Sequence, residues 1–236
     1  MLERFYVGAV RGGRSVARTM GLLERLERRR ESRTALWLRS LFAIYDIDDL
    51  SGLDLPWWTF DAIGKVDRFL KDRPNARVFE YGSGASTIWL ARRAAEVTSV
   101  EHDAAWYPEV ERRIAAFPHA RVRLVAPDPT PSADPRYASD KPAWRGRTFH
   151  DYVHAIDAEP GQFDLIVIDG RARTACLDHA RSRLAPGGLI VFDNSHRAPY
   201  RRAIAASGMR WERTRGLAAC LPYPDETTLM RAPADA

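Results

Sequence analysis

The chain has 236 residues, 45% hydrophobic and 28% charged, which fits one sizeable globular domain or a domain with an appendage. No apolar run approaches the ~18 residues that a membrane span needs, and the first 20 residues carry four arginines without the continuous apolar core of a signal peptide. Residues 1–40 hold 10 Arg against 4 Glu, a net of +6, whereas residues 41–236 hold 26 basic against 27 acidic residues, a net of −1. The basic excess is therefore local, and it argues against a core that grips nucleic acid through a broad positive face. Of the 36 basic residues 33 are Arg, a bias expected of a GC-rich bacterial genome. Cys176 and Cys220 are too few for a disulfide framework and lack metal-ligand spacing, so a reducing cytoplasm is the expected setting.

Residues 1–20 show little periodicity and read as a loosely docked lead-in. Leu22, Leu23 and Leu26 repeat at helical spacing among charges. A second helix runs through Ala35–Leu38 and Leu41–Tyr45 and ends by the acidic cluster Asp46–Asp49. Residues 1–55 thus form a basic helical extension, expected to cover a substrate opening or to serve as a homodimer face, and residues 56–236 form the main domain. Leu55-Pro56-Trp57-Trp58 follows. Two adjacent tryptophans cannot face the same way, so at least one turns towards a pocket unless both pack in the core. A helix with the stripe Ala62, Ile63, Val66, Phe69 and Leu70 stops near Pro74.

The chain is organised around residues 77–103. Val78-Phe79 is a strand that ends in Glu80-Tyr81, and Gly82-Ser83-Gly84 is a tight turn that lets a ligand approach the main chain. Ser86 and Thr87 open a helix whose free N–H groups favour an anion. A second strand, Val97–Val100, ends in Glu101 about 20 residues on, the usual offset for a carboxylate that holds ribose hydroxyls. The stretch predicts a nucleoside site made of Glu80, Tyr81, Gly82, Ser83, Gly84, Ser86, Thr87 and Glu101, with His102 beside the adenosine. Thr87 stands where a dinucleotide fingerprint has its third glycine.

After a helix at Trp106–Phe117 and a strand at Val122–Val125, five prolines interrupt residues 127–148. A segment of that kind is a lid or binding loop, with Asp128, Tyr137, Trp144 and Arg145 available to shape a substrate pocket. Residues Phe149–Ile156 lead into the apolar run Leu165–Ile168, a strand buried on both faces that ends in Asp169. A helix at Thr174–Leu184 and a strand at Leu189–Phe192 ending in Asp193-Asn194 come next. A helix near Pro199–Ala206 and strands near Met209–Arg213 and Thr227–Arg231 close the chain. Alternating strands and helices predict an α/β fold with ligands at the carboxyl ends of its strands, where Glu80, Glu101, Asp169 and Asp193 all lie.

The order E-x-G-x-G at Glu80, Gly82 and Gly84, with Glu101 after the second strand, resembles the first motifs of class I S-adenosylmethionine-dependent methyltransferases. FDLIVIDG (163–170) and LAPGGLIVFDNS (184–195) resemble the fourth and fifth strand motifs of that family, so the likeness spans residues 77–195. It implies a Rossmann-like, doubly wound, seven-stranded and mostly parallel sheet with an antiparallel last strand, and S-adenosylmethionine as cofactor. Methyl transfer is a direct displacement, for which the protein aligns the acceptor and removes a proton. Asp169, Asp193 and Asn194 resemble the divalent-metal site of catechol and caffeoyl-coenzyme-A type O-methyltransferases, which implies a metal of the Mg²⁺ class. Those families carry a lysine three residues after the first aspartate, where this chain has Ala172. In the alternative, Asp169 contacts cofactor or acceptor directly, while Asp193 and Asn194 bond the strand-end backbone.

Asp169 and His196 are the expected catalytic residues, the imidazole as a general base at neutral pH. Arg171 and Arg173 either hold an anionic acceptor or lie on the surface. The sequence thus reads as a cytoplasmic methyltransferase acting on a small molecule or glycan, on oxygen before nitrogen, without nucleic-acid partners. A nicotinamide-dependent oxidoreductase and a non-catalytic nucleoside- or partner-binding module are the alternatives.

Overall fold

The computed structural model describes residues 2–139 and 141–233, at 2–9 and 11 the backbone alone. Four helices come first: α1 (Leu2–Thr19), α2 (Leu22–Glu27), α3 (Arg33–Ser40) and α4 (Ile47–Gly52). Residues 2–19 are a regular helix and not the loose lead-in expected from their weak periodicity. Arg14 ties it down, with guanidinium nitrogens 2.5 Å from Asp46 and 3.0 Å from Asp49. The Asp46–Asp49 cluster also differs from expectation, because it starts a helix: Asp46 Oδ1 accepts the N–H of Asp49 at 2.9 Å and caps α4. Arg39, only 3% exposed, forks onto both oxygens of Asp49 and onto Glu27. Arg14 and Arg39 are therefore neutralised inside the arm.

The main sheet follows from α5 (Phe60–Lys71), β1 (Arg77–Tyr81), α6 (Ala85–Ala91), β2 (Glu96–Glu101), α7 (Tyr107–Ile114), β3 (Ala120–Leu124), α8 (His150–His154), β4 (Phe163–Ile168), α9 (Arg173–Ser182), β5 (Leu184–Phe192), α10 (Ala198–Ala206), β6 (Arg210–Gly216) and β7 (Asp225–Arg231). The strand order is β3-β2-β1-β4-β5-β7-β6. β3 to β5 run parallel, and β7 is antiparallel to both of its neighbours. This is the expected seven-stranded Rossmann-like sheet with an antiparallel last strand.

Side chains alternate between its two faces, as a strand's two-residue period requires. Phe79, Ile166 and Ile168 pack with Tyr152 of α8 and Leu177 of α9. Val78, Leu165 and Val167 pack on the other side with Trp58, Val66 and Trp89. Each such fully buried apolar side chain stabilises the fold by roughly 1.5–3 kcal/mol. A third cluster joins the arm to the domain: Ile44, Ile47, Leu50 and Leu55 meet Ala85 and Ile88 of α6 and Val110 and Ile114 of α7. Among the described residues no helix is long and apolar enough to cross a membrane. Strand order reverses between β1 and β4, which opens a crevice outside their carboxyl ends.

Candidate active site

The turn after β1 is built around Glu80, which is fully buried. Its oxygens accept hydrogen bonds from the hydroxyls of Ser86 (2.5 Å), Thr87 (2.6 Å) and Ser99 (2.6 Å). Thr87 Oγ1 also accepts the Gly84 N–H at 3.0 Å, closing the first turn of α6. Burial outweighs these donors and pushes the Glu80 carboxyl up to about 7. Glu80, Ser86 and Thr87 therefore set the shape of the turn, with their polar atoms turned on one another. Tyr81 points into the core, where its hydroxyl donates to the Val153 carbonyl at 2.7 Å, so it is turned away from the crevice.

The two glycines differ. Gly82 has a φ of +89°, and a β-carbon there would lie 2.9 Å from the backbone of Gly170. The approach that requires glycine is between the β1 and β4 turns, not with a ligand. Gly84 has open space beside its α-carbon and faces a cleft of about 90 Å³. Ser83, Ala85, Ser86 and Asp169 border that cleft from the sheet side, and Tyr45, Ile47, Leu50 and Trp57 roof it from the arm. Trp57 is thus the tryptophan that faces a pocket, stacked edge-on with Tyr45 at 5.1 Å, while Trp58 is buried against Trp89.

Glu101 lies behind Ser83, 2% exposed. It accepts the N–H (3.0 Å) and hydroxyl (2.8 Å) of Ser83 and the N–H groups of His102 (2.8 Å) and Asp103 (2.9 Å). His102 Nδ1 is 2.9 Å from Glu101 Oε1 but off the line of a hydrogen bond. Despite burial, these donors and the neighbouring imidazole hold the Glu101 carboxyl below its usual range. His102 lies among Trp144 (5.1 Å), Phe149 (5.6 Å) and Tyr152 (5.8 Å), so the proline-rich segment does reach the site through Trp144. Trp106 fixes the turn from outside, its indole N–H donating to the Ser83 carbonyl at 2.9 Å.

At the ends of β4 and β5 the organiser is Arg173, 5% exposed. Its guanidinium donates to the carbonyls of Asp169 (2.7 Å), Gly170 (3.0 Å) and Asp193 (2.5 Å) and to Asp169 Oδ1 (2.8 Å). Asp193 accepts the Thr227 hydroxyl at 2.7 Å, and Asn194 donates to Asp225 Oδ2 at 2.8 Å. Asp169, Asp193 and Asn194 therefore do not present oxygens to a shared centre, and a fixed cation already lies among them. The expected divalent metal does not fit this donor set. Burial pushes the Asp193 carboxyl well up, with Asp169 adding to it, and raises Asp169 as well. Asp169 nevertheless keeps a quarter of its side-chain surface open at the cleft.

His196 is half exposed, and its Nδ1 lies 2.9 Å from Oδ1 of the buried Asp225. Asp225 also accepts the Glu226 N–H at 2.7 Å and the Asn194 amide, so the imidazole is held by a fixed carboxylate. A second recess, about 250 Å³, lies along the Arg171–Thr174 turn. Among the described residues Arg136, Lys141, Arg171, Arg173 and Arg197 line it together with Tyr200, with Arg136 paired to Asp134 and Arg173 to Asp169. Arg171, pushed down by burial and by the charge of Arg173, reaches across to His102 Nε2 at 3.4 Å. Sequence reasoning missed Asp225, 29 residues from its partner His196, and the structural reach of Arg173. The polar pair Thr98-Ser99 between Val97 and Val100 was the one signal that could have been read.

Residues 79–195 match the model of a family described as a methyltransferase domain. The fold is shared with a precorrin 8w decarboxylase from Methanobacterium thermoautotrophicum, at 12% identity over 75% of this chain and 94% of that one, with a TM-score of 0.51. It is shared too with a precorrin-6y C5,15-methyltransferase from Geobacter metallireducens GS-15, at 10% identity, 73% and 88% coverage and a TM-score of 0.50. The N-methyltransferase NodS from Bradyrhizobium japonicum WM9 aligns over 73% of this chain and 95% of its own at 14% identity and a TM-score of 0.49. Identities of this order carry the fold alone. No curated protein matches the chain in sequence.

Proposed function

Because this chain belongs to the class I methyltransferases, we propose that it moves a methyl group from S-adenosylmethionine to a hydroxyl oxygen of a small anionic molecule or glycan. The cleft beneath Trp57 is the donor site in this reading. Gly84 leaves there the space that a β-carbon would fill, and Glu101 stands ready with Ser83 to take ribose hydroxyls. The bound donor supplies an electrophilic methyl carbon. His102 and Trp144 border its base, and Asp169 stands between donor cleft and acceptor recess.

His196 takes the acceptor proton in this reading. With Nδ1 held by Asp225, its Nε2 is the basic nitrogen, and the buried carboxylate stabilises the imidazolium that forms. The observation that carries the acceptor class is the recess beside the Asp169 turn, which among the described residues is lined by four arginines and Lys141. Such a lining fits a carboxylate or phosphate on the acceptor. A cytoplasmic setting without nucleic-acid partners belongs to the same reading, supported by two buried free cysteines and a near-neutral core. A homodimer through the arm also belongs to it, supported by the exposed Val16, Met20 and Leu22; sedimentation at micromolar concentration reads it directly.

The test is transfer from tritiated S-adenosylmethionine to a panel of hydroxylated carboxylates, sugar phosphates and uncharged sugars. The anionic members are expected to be labelled. With the best of them, His196→Gln should lower kcat by about 10²–10⁴-fold while donor Kd stays unchanged. Labelling confined to neutral sugars, or an undiminished rate in the variant, would overturn the acceptor class or the base respectively.

A further inference from the structure

We propose that the chain also carries a transition-metal site where α8 meets α9, made of His154, Asp157 and His179. None of these residues lines the donor cleft or the cationic recess. His154 ends α8, Asp157 follows one turn later, and His179 lies in the second half of α9. His154 Nδ1 is 3.0 Å and His179 Nδ1 2.6 Å from the same atom, Asp157 Oδ2. The three ligand atoms lie within 4.8 Å of one another. The two imidazoles stand 4.2 Å apart at 70°, both aimed at that oxygen.

Two ring nitrogens and one carboxylate oxygen converging on one point is the donor arrangement of an open zinc site, with a fourth position left for water. The outer surroundings agree. The other ring nitrogen of His154 is 3.4 Å from the Tyr137 hydroxyl, the kind of second contact that fixes a ligating imidazole. His150, one helical turn before His154, stacks on it at 4.2 Å and holds the ring plane. His154 and Asp157 are each more than a third exposed, which gives an ion a path in. Nitrogen-rich donors favour Zn²⁺, Cu²⁺ or Ni²⁺ over Mg²⁺ or Ca²⁺. The site is thus chemically unlike the all-oxygen set expected at Asp169, Asp193 and Asn194.

The experiment titrates the metal-free full-length chain with Co²⁺ and then Zn²⁺ at neutral pH, following the visible absorption of bound cobalt and the ¹⁵N shifts of the histidine rings. One saturable equivalent of cobalt is expected, displaced by zinc and indifferent to Mg²⁺ and Ca²⁺, with shifts confined to the Nδ1 atoms of His154 and His179. His154→Gln and His179→Gln should each remove the step, and Tyr137→Phe should weaken it by about 10-fold or more. Circular dichroism of the metal-free variants checks that they fold. Should a variant unfold, the ring shifts of the unaltered chain decide by themselves. No saturable step, a step that survives in both glutamine variants, or shifts on His102 or His196 instead would overturn the proposal.

Discussion

Glu80 and Asp169 lie at the ends of neighbouring parallel strands, yet the chain partners their carboxyls in different ways. Around Glu80 it places only neutral donors, the hydroxyls of Ser86, Thr87 and Ser99. Around Asp169 and Asp193 it places a buried guanidinium that also gathers three backbone carbonyls. A carboxyl served by hydroxyls alone stays close to neutral, and its charge follows pH. A carboxyl beside a fixed cation is clamped in position, although burial raises Asp169 and Asp193 as it raises Glu80. One wall of the crevice is therefore titratable on neutral donors alone, and the other is locked in position by a cation.

The locked wall is where the largest loss is expected. Arg173→Met leaves Asp169 and Asp193 without their cation and three carbonyls without a donor, and should cost about 3–5 kcal/mol. Urea unfolding at two pH values would read it, with a larger loss at the higher pH, where the carboxyls are ionised. An equal loss at both would mean that packing, not charge, is what Arg173 supplies. The titratable wall gives the next effect. The Glu80 carboxyl is raised by folding, so its contribution is fully present below the ordinary 4.5 and is lost as pH rises through about 7. Over that window the native chain should lose about 3 kcal/mol. Glu80→Gln should flatten the slope, and an unchanged pH profile would show that Glu80 is ionised in the fold. The smallest effect tests the donor site itself: Glu101→Gln should raise the Kd for S-adenosylmethionine by roughly 10–100-fold, the loss of a charge-assisted hydrogen bond. Unaltered affinity would remove Glu101 from the donor site.

These contrasts also show what a sequence can and cannot carry. The sheet was legible because each strand is short, apolar and closed by a turn: Leu165–Ile168 needed nothing beyond its own run to be placed at the centre. The glycine turn and Glu101 were legible because strand, turn and carboxylate lie within thirty residues of one another. The use of each carboxylate was not legible. Glu80, Glu101, Asp169 and Asp193 look alike in sequence, and their partners, Ser99, Ser83, Arg173 and Thr227, are chosen by register across strands and turns. The metal expected at Asp169, Asp193 and Asn194 is not supported for that reason, since Arg173, which in sequence reads either as an anion-holding or as a surface residue, is turned inward by α9. His196 was visible, but Asp225, which lies on another strand, was not. The start of the arm was misread although α1 is amphipathic; what ties it down are the ion pairs of Arg14 to residues 46 and 49, far along the chain.

The contact between Gly82 and Gly170 has a mechanical consequence. Because both turns lack side chains where they touch, nothing compressible separates them, and a β-carbon on Gly170 would also run into the Tyr152 hydroxyl. The bend beside the cleft and the bend that leads to the cationic recess are thus spaced by backbone alone, and their separation is set by two missing side chains.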